Sequence, residues 1–390
     1  MPKKTVRDVE VEGKRVLVRV DLNVPLAEGE VADDTRIRES LPTVRYLLER
    51  GAKVILLSHL GRPAGQPVDS LRLDPVARSL SRLLGMPVRK LDDCTGAAVE
   101  TAVEEMAPGE VVLLENTRFH AGEMSNDAGF AAALAGYAEL FVNDAFGSAH
   151  RDHASVVGVA ENLPSVAGLL MEKEIENLSR AAAGLEHPYV AIVGGAKVSD
   201  KIGVLRALSR KADTLMLGGG IASTFFLAKG WEIGKSLAEP EARAEARAVM
   251  RETGDRLVLP SDVVISPERS DGAGVEIVDA DQIPAWAQIV DIGPRTVSAF
   301  VERLEAARLV VWSGPLGVFE VPEFAEGTMA VARAVARLDA TVIVGGGDSA
   351  AAMARAGVSD RVTHVSTGGG AALRFLQGET LPGIAALEDR

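Results

Sequence analysis

The stretch Gly194-Gly195-Ala196-Lys197-Val198-Ser199-Asp200-Lys201 follows the apolar run 189–193. Five apolar residues ending in two glycines read as a buried strand entering a turn, and the pattern from about Ser199 predicts an amphipathic helix. The glycines let the backbone approach a ligand closely, and a helix start offers unpaired N–H groups to an anion. Lys197 and Lys201 add positive charge at the same turn, in a chain with 11 lysines against 31 arginines. The combination predicts a phosphate site on an α/β enzyme.

The same alternation continues in both directions. Strand-like runs are predicted at 15–20, 53–57, 111–114 and 140–142, then at 189–193, 214–217, 309–312, 341–344 and 363–365. Several are continuously apolar, as strands covered on both faces should be. Helical patterns lie between them, for example over 74–84 and 328–338, so the expected fold class is α/β with parallel sheets flanked by helices. A domain boundary is expected near 164–188. Pro164 opens a helical pattern there, with Val166, Leu169, Leu170, Ile175 and Leu178 at helical spacing, and Gly184 and Pro188 close it.

A chain of 390 residues has room for two or three cores. Its net charge of −13 argues against nucleic acid or an anionic membrane as the main partner. The single cysteine, Cys94, excludes an internal disulfide framework and fits a reducing compartment. The N-terminus lacks an apolar leader and no run reaches 18 apolar residues, so a soluble cytoplasmic protein is expected.

The chemistry lies past the strand ends, where ligands bind in open α/β sheets. In the first half these segments are Asp21-Leu22-Asn23, Ser58-His59-Leu60-Gly61-Arg62, Glu115-Asn116-Thr117-Arg118 and the stretch from Asn143 to Arg151, with Asp33-Asp34-Thr35-Arg36 following the first strand. Four of these five segments bear an arginine. Any one arginine reads equally well as a surface ion pair. Four at corresponding positions predict a cationic pocket for carboxylate or phosphate oxygens. Second-half strands run instead into glycine: Gly194-Gly195, Gly218-Gly219-Gly220, Gly314-Pro315-Leu316-Gly317, Gly345-Gly346-Gly347-Asp348 and Gly368-Gly369-Gly370. Successive N–H groups in such turns form anion-binding concavities. Asp348 reads either as a helix N-cap or as a Mg²⁺ ligand beside nucleotide phosphates, and the adjacent glycines favour the metal.

Other motifs fall away. Gly230-Trp231-Glu232-Ile233-Gly234-Lys235-Ser236 is one residue short of a Walker A loop and follows no strand. His150-Arg151-Asp152 spells the protein-kinase triplet without its downstream Asn. His150 and His153 lack further zinc ligands, and Cys94 has acidic neighbours that disfavour a thiolate. A two-lobed binding protein explains the arginines but not Lys197 and Asp348. A nicotinamide dehydrogenase lacks its Gly-x-Gly-x-x-Gly fingerprint.

Collinear blocks then become recognisable over essentially the whole length: Arg19-Val20-Asp21-Leu22-Asn23-Val24-Pro25, Ser58 to Pro63, Leu113 to His120, Asn143 to Gly147, Gly194 to Lys201, Trp312 to Glu320, Gly345 to Asp348 and Ser366 to Ala371. In these blocks the chain resembles phosphoglycerate kinase. The resemblance implies two Rossmann-like domains, 1–170 with 372–390 for the acid substrate and 171–371 for nucleotide, joined by a helix and hinge segments. It implies reversible phosphoryl transfer, in glycolysis and gluconeogenesis, between 1,3-bisphosphoglycerate and MgADP, giving 3-phosphoglycerate and MgATP. Asp21, Asn23, Arg36, His59, Arg62, Arg118 and Arg151 are implied to hold 3-phosphoglycerate. Gly195, Lys201, Gly219, Glu320, Gly346, Gly347, Asp348 and Ser349 are the nucleotide candidates, with Glu320 on the ribose and Asp348 on Mg²⁺. Lys197 and Arg36 are implied at the transferring phosphoryl group, and a monomer is expected. The family often has Asn where Ser313 stands and Thr where Ser349 stands, so a phosphate contact from Ser313 should be weaker or carried by water.

The residues agree with that chemistry. A carboxylate nucleophile is already ionised at neutral pH, so no general base is needed. Alignment and charge neutralisation remain, and the acyl phosphate must be kept from water. Substrates on separate domains require closure, for which 164–184 and 366–370 are the expected hinges.

Overall fold

The structure, a computed structural model, describes residues 2–269 and 274–390. The chain folds as two compact units, one running to Glu176 and including Thr380–Arg390, the other Asn177–Glu379. The division falls within the helix Leu169–Ala183.

The first unit contains β1 (Arg15–Arg19), β2 (Leu26–Ala27), β3 (Glu30–Val31), β4 (Lys53–Leu57), β5 (Arg89–Lys90), β6 (Val111–Leu113), β7 (Leu140–Asn143) and β8 (Ser165–Ala167). All but the β2–β3 hairpin form one parallel sheet in the order β5-β6-β4-β1-β7-β8. Alternate side chains enter opposite cores, because successive strand residues face opposite sides. Val16, Val18, Val54 and Leu56 join one core cluster, and Leu17, Ile55, Leu57 and Phe141 the other. Both faces are therefore dry, which accounts for the continuously apolar sequence. The chain ends close on this unit: the Lys4 N–H donates to the Glu388 carbonyl at 2.9 Å, and Lys3 pairs with Asp389 at 2.9 Å.

The second unit contains β9 (Tyr189–Val193), β10 (Thr214–Leu217), β11 (Leu257–Val258), β12 (Asp262–Ser266), β13 (Glu276–Asp279), β14 (Gln288–Ile292), β15 (Leu309–Ser313), β16 (Thr341–Gly345) and β17 (His364–Ser366). A parallel sheet runs β11-β10-β9-β15-β16-β17, and β13-β12-β14 form a separate antiparallel sheet. Trp312, Phe300, Ile192 and Val344 pack together in its core. Two parallel sheets confirm the expected fold class. The antiparallel sheet was not foreseen.

Three local expectations are corrected. Residues 165–167 are not helical but form β8, paired in parallel with β7, and the helix starts only at Leu169. Val166 and Leu169 pack on the same core, so a strand and a helix together mimic helical spacing. The helix after β9 begins at Ile202 rather than Ser199, because Val198–Lys201 closes a turn in which the Lys201 N–H donates to the Val198 carbonyl at 2.9 Å. The helix expected over 328–338 spans Glu326–Val335. By contrast, Asp74–Leu84 is a helix as predicted, with Pro75 in its first turn and Gly85 at its left-handed end. Among the described residues no helix is long and apolar enough to cross a membrane.

Candidate functional site

In the first sheet the strand order reverses at β1, so the segments after β1, β4, β6 and β7 converge. Asp21 accepts from Arg36 Nη1 at 3.3 Å, and the same nitrogen donates to the Asn23 carbonyl at 3.0 Å. Asn23 Oδ1 accepts the Gly61 N–H at 2.9 Å, and Arg118 Nη1 donates to the Gly61 carbonyl at 2.6 Å. Gly61 thus ties two of the expected residues, Asn23 and Arg118, together. Arg62 is exposed beside it. Arg118 is only 3% exposed, yet its Nε and Nη2 are buried without a hydrogen-bond partner. Burial first, then the charges of Arg151 and Arg19, lower its pKa to about 10. Unsatisfied buried donors among mutually repelling cations are what an anion satisfies.

His59 is buried at the end of β4. Burial, followed by the charges of Arg19, Arg118, Arg151 and Arg36, pushes its pKa well below the ordinary value. Arg19, 1% exposed, donates from Nη2 to His59 Nδ1 at 3.0 Å, from Nε to Ser155 Oγ at 2.9 Å and from Nη1 to the Val20 carbonyl. Ser155 in turn bonds the fully buried Glu123. Arg19, Glu123 and Ser155 were missed as functional candidates. Arg19 stands out in the sequence only as the start of the block Arg19–Pro25, and no local pattern links the other two to it.

In the second unit the turns after β9, β10 and β15 are stitched by their backbones. The Gly195 N–H donates to the Pro315 carbonyl at 2.8 Å, and the Gly219 N–H to the Leu316 carbonyl at 2.9 Å. A Cβ on Gly194 would overlap the Pro315 carbonyl, so only glycine permits this approach. A cavity of about 130 Å³ lies here, lined by Gly195, Gly219, Glu320 and Asp348 with the apolar Leu237, Ile289 and Leu316. The apolar wall was not anticipated, because its residues are scattered in sequence.

Lys201 donates to the Gly194 and Ser313 carbonyls at 2.8 and 2.9 Å, leaving one ammonium proton. Burial lowers its pKa to about 8, against the opposing pull of Asp348 and Asp200. Lys197 is exposed on the turn, which Glu239 pins by accepting from the Ser199 N–H and Oγ at 2.8 and 2.6 Å. Ser349 is turned inward: its Oγ accepts the Gly314 N–H at 2.5 Å and donates to the Gly345 carbonyl at 3.0 Å. Ser313 Oγ is buried without a hydrogen-bond partner.

Asp348 is not a helix cap. Gly346 occupies the cap of the helix Gly347–Arg355, and Asp348 stands exposed in its first turn. A hard, exposed carboxylate on the rim of a glycine-lined cavity fits Mg²⁺, which takes one or two carboxylates with phosphate oxygens. Cys94 is structural as expected. It is buried, its thiol donates to the Glu115 carbonyl at 2.9 Å, and burial with the nearby carboxylates pushes its pKa up. The Walker-like stretch begins at Gly230, the left-handed end of the helix Gly219–Lys229, and so opens no helix.

The phosphoglycerate kinase family profile matches residues 6–379. The phosphoglycerate kinase of Rubrobacter xylanophilus is 55% identical over 390 residues, covering 100% of this chain and 99% of that protein. That of Pelotomaculum thermopropionicum is 54% identical over 393 residues, with both chains fully covered. The solved phosphoglycerate kinase of Coxiella burnetii superposes with a TM-score of 0.88 at 41% identity, covering 99% of this chain and 98% of its own. That of Pyrococcus horikoshii gives 0.89 at 36% identity, with the same coverages. Two parallel-sheet units, one with a buried arginine cluster and one with glycine turns, thus belong to a chain that is a member of the phosphoglycerate kinase family.

Proposed function

We propose that this chain runs its family's reaction by holding the acid substrate on the arginine cluster and MgADP or MgATP on the glycine turns. The reaction is reversible phosphoryl transfer between 1,3-bisphosphoglycerate and ADP. Arg118 carries the reading most directly: its buried, unpartnered Nε and Nη2 call for an anionic ligand. Asp21, Asn23, His59, Arg62 and Arg151 complete that subsite. The Asp21–Arg36 pair keeps Arg36 in place at the cluster. Glu320 binds the ribose, the apolar wall receives the base, and the N–H groups near Gly346 and Gly347 meet phosphate. Asp348 holds Mg²⁺, which supplies charge neutralisation on the phosphate oxygens. Lys197 donates to the moving phosphoryl group, and Arg36 steadies the carboxyl end of the acid. The protein works as a monomer in the cytoplasm, and its units approach each other when both ligands are bound. Solution scattering that gave one radius of gyration for free and doubly liganded protein would rule out that approach.

A coupled assay of ATP formation from the acyl phosphate and ADP tests the reading as a whole, and no turnover would refute it. In that assay Lys197→Ala is expected to lower kcat by roughly 10²-fold with little change in KM. A change in KM alone would make Lys197 a binding residue. Asp348→Asn should raise the Mg²⁺ concentration needed for half-maximal rate, and an unchanged metal dependence would remove the metal from this position.

Arg118→Ala should weaken 3-phosphoglycerate binding by roughly 1.5–3 kcal/mol and leave ADP binding unaltered in calorimetry. Equal losses for both ligands would show that the two subsites are not separate.

Lys201 gives a pH prediction. Its pKa near 8 lies below the ordinary 10.5, so the free protein carries it partly neutral just above pH 8. Bound phosphate favours the cation and raises that pKa. ADP binding should therefore take up a proton on the alkaline side of pH 8, and affinity should fall as pH rises through that value. Calorimetry in two buffers of different ionisation enthalpy measures the uptake, and a zero value at pH 8.5 would detach Lys201 from the phosphate.

A further inference from the structure

Behind the arginine cluster lies a chain of hydrogen bonds whose directions are fixed by valence. A guanidinium has no acceptor, so Arg19 donates at every contact. Ser155 Oγ must then accept from Arg19 Nε at 2.9 Å, which commits its own proton to Glu123 Oε1 at 2.6 Å. Glu123 Oε2 accepts the Ser155 N–H at 3.0 Å. At the other end His59 Nδ1 accepts from Arg19 Nη2 at 3.0 Å and so carries no proton. The imidazole is left neutral, with Nε2–H as its single donor.

Glu123 holds this arrangement electrically as well. Arg19 is sealed from water among other cations, and Glu123 and Asp21 are the carboxylates that act on it. Glu123 is 0% exposed, with His153 Nδ1 3.7 Å away. Burial alone would raise its pKa. His153, Arg19 and Ser155 together outweigh that effect and hold it below the usual value, so it stays ionised. Ser155 sits in the π-helical turn Ala154–Gly158, a rare geometry frequent at functional sites. That turn lies three residues beyond Arg151, so it also fixes the segment carrying a second cationic residue of the cluster.

We propose that Glu123 is a positioning residue: through Ser155 and Arg19 it holds His59 as the neutral Nε2–H tautomer, a hydrogen-bond donor for the acid substrate. The opposite tautomer would set an N–H against the Arg19 N–H and turn a lone pair toward an anion. The substrate-binding role of His59 rests on the function proposed above, whereas its tautomer in the free protein does not.

Nitrogen-15 spectra of the histidine side chains, with His59 assigned through His59→Gln, test the tautomer without any substrate. The expected signature in the free protein is a pyridine-like Nδ1 and a pyrrole-like Nε2 at pH 6–8. A protonated Nδ1 or a cationic ring in that range would overturn the proposal. In Glu123→Gln the two His59 shifts should move toward an average. The KM for 3-phosphoglycerate should rise roughly tenfold, the equivalent of about one charge-assisted contact. The kcat and the KM for ADP should stay within about twofold. A folded Glu123→Gln protein with unchanged His59 shifts and unchanged KM would reduce Glu123 to a structural residue. Should Glu123→Gln fail to fold, Ser155→Ala breaks the relay while keeping the Glu123 charge, and the same two readouts decide. Absence of turnover in the unmodified protein would refute the functional reading and leave the tautomer result standing.

Discussion

A parallel sheet covered on both faces has no dry place for polar chemistry except past the ends of its strands. Both units obey this constraint, and their sites follow from it. Leu17 and Val18 of β1 enter opposite cores, and Asp21 and Asn23 appear as soon as the strand has cleared them. The same holds for β9, whose five residues are all buried before the chain reaches Gly194. Fold and site position are thus one consequence of burial, and the residues past each strand end decide which ligand is met.

Under the proposed function the two units meet the need for anion binding in different ways. In the first, whole charges are concentrated: burial, then the charge of Arg151, lowers the pKa of Arg19, burial, then the charges of Arg151 and Arg19, lowers that of Arg118, and Arg118 keeps two buried donors unpaired. Such a cluster is costly when empty, since buried donors forfeit water. The buried Glu123 and then Asp21 are the carboxylates that oppose the repulsion at Arg19. In the second unit partial charges stand beside the ammonium groups of Lys197 and Lys201, and the backbone N–H groups in stitched turns present small dipoles that cost little to arrange.

How far the sequence could be read follows the same division. The central strands were legible because double-sided burial leaves uninterrupted apolar runs with few alternatives. The cavity residues Gly195, Gly219 and Asp348 were legible because strand ends announce them, whereas Glu320 was legible only through the family resemblance. Short β8 was misread because its register with β7 is a long-range fact that local spacing imitates. Strand β13 was passed over, since Glu276 and Ile277 are both exposed and show no clean alternation. The relay behind His59 was illegible for another reason. Glu123 and Ser155 meet 32 positions apart, and Arg19 and Ser155 136 apart, so no window of sequence contains the interaction.

The two lysines of the decisive turn show how the same residue type divides its tasks within five positions. Lys201 folds back across the ends of β9 and β15 and bonds one carbonyl from each. A Cβ on Gly314 would collide with its ammonium, and Gly314 also has φ +90°, so that glycine and this lysine form a single device. The ammonium cross-links two strands and is desolvated for doing so, which makes its proton affinity sensitive to any phosphate nearby. Lys197, held out on a turn that Glu239 secures, bears none of that burden. An exposed ammonium keeps its rotational freedom, as the proposed donation to a moving phosphoryl group requires. Composition flagged both lysines equally; the difference between them comes from where the helix begins, three residues later than the sequence pattern implied.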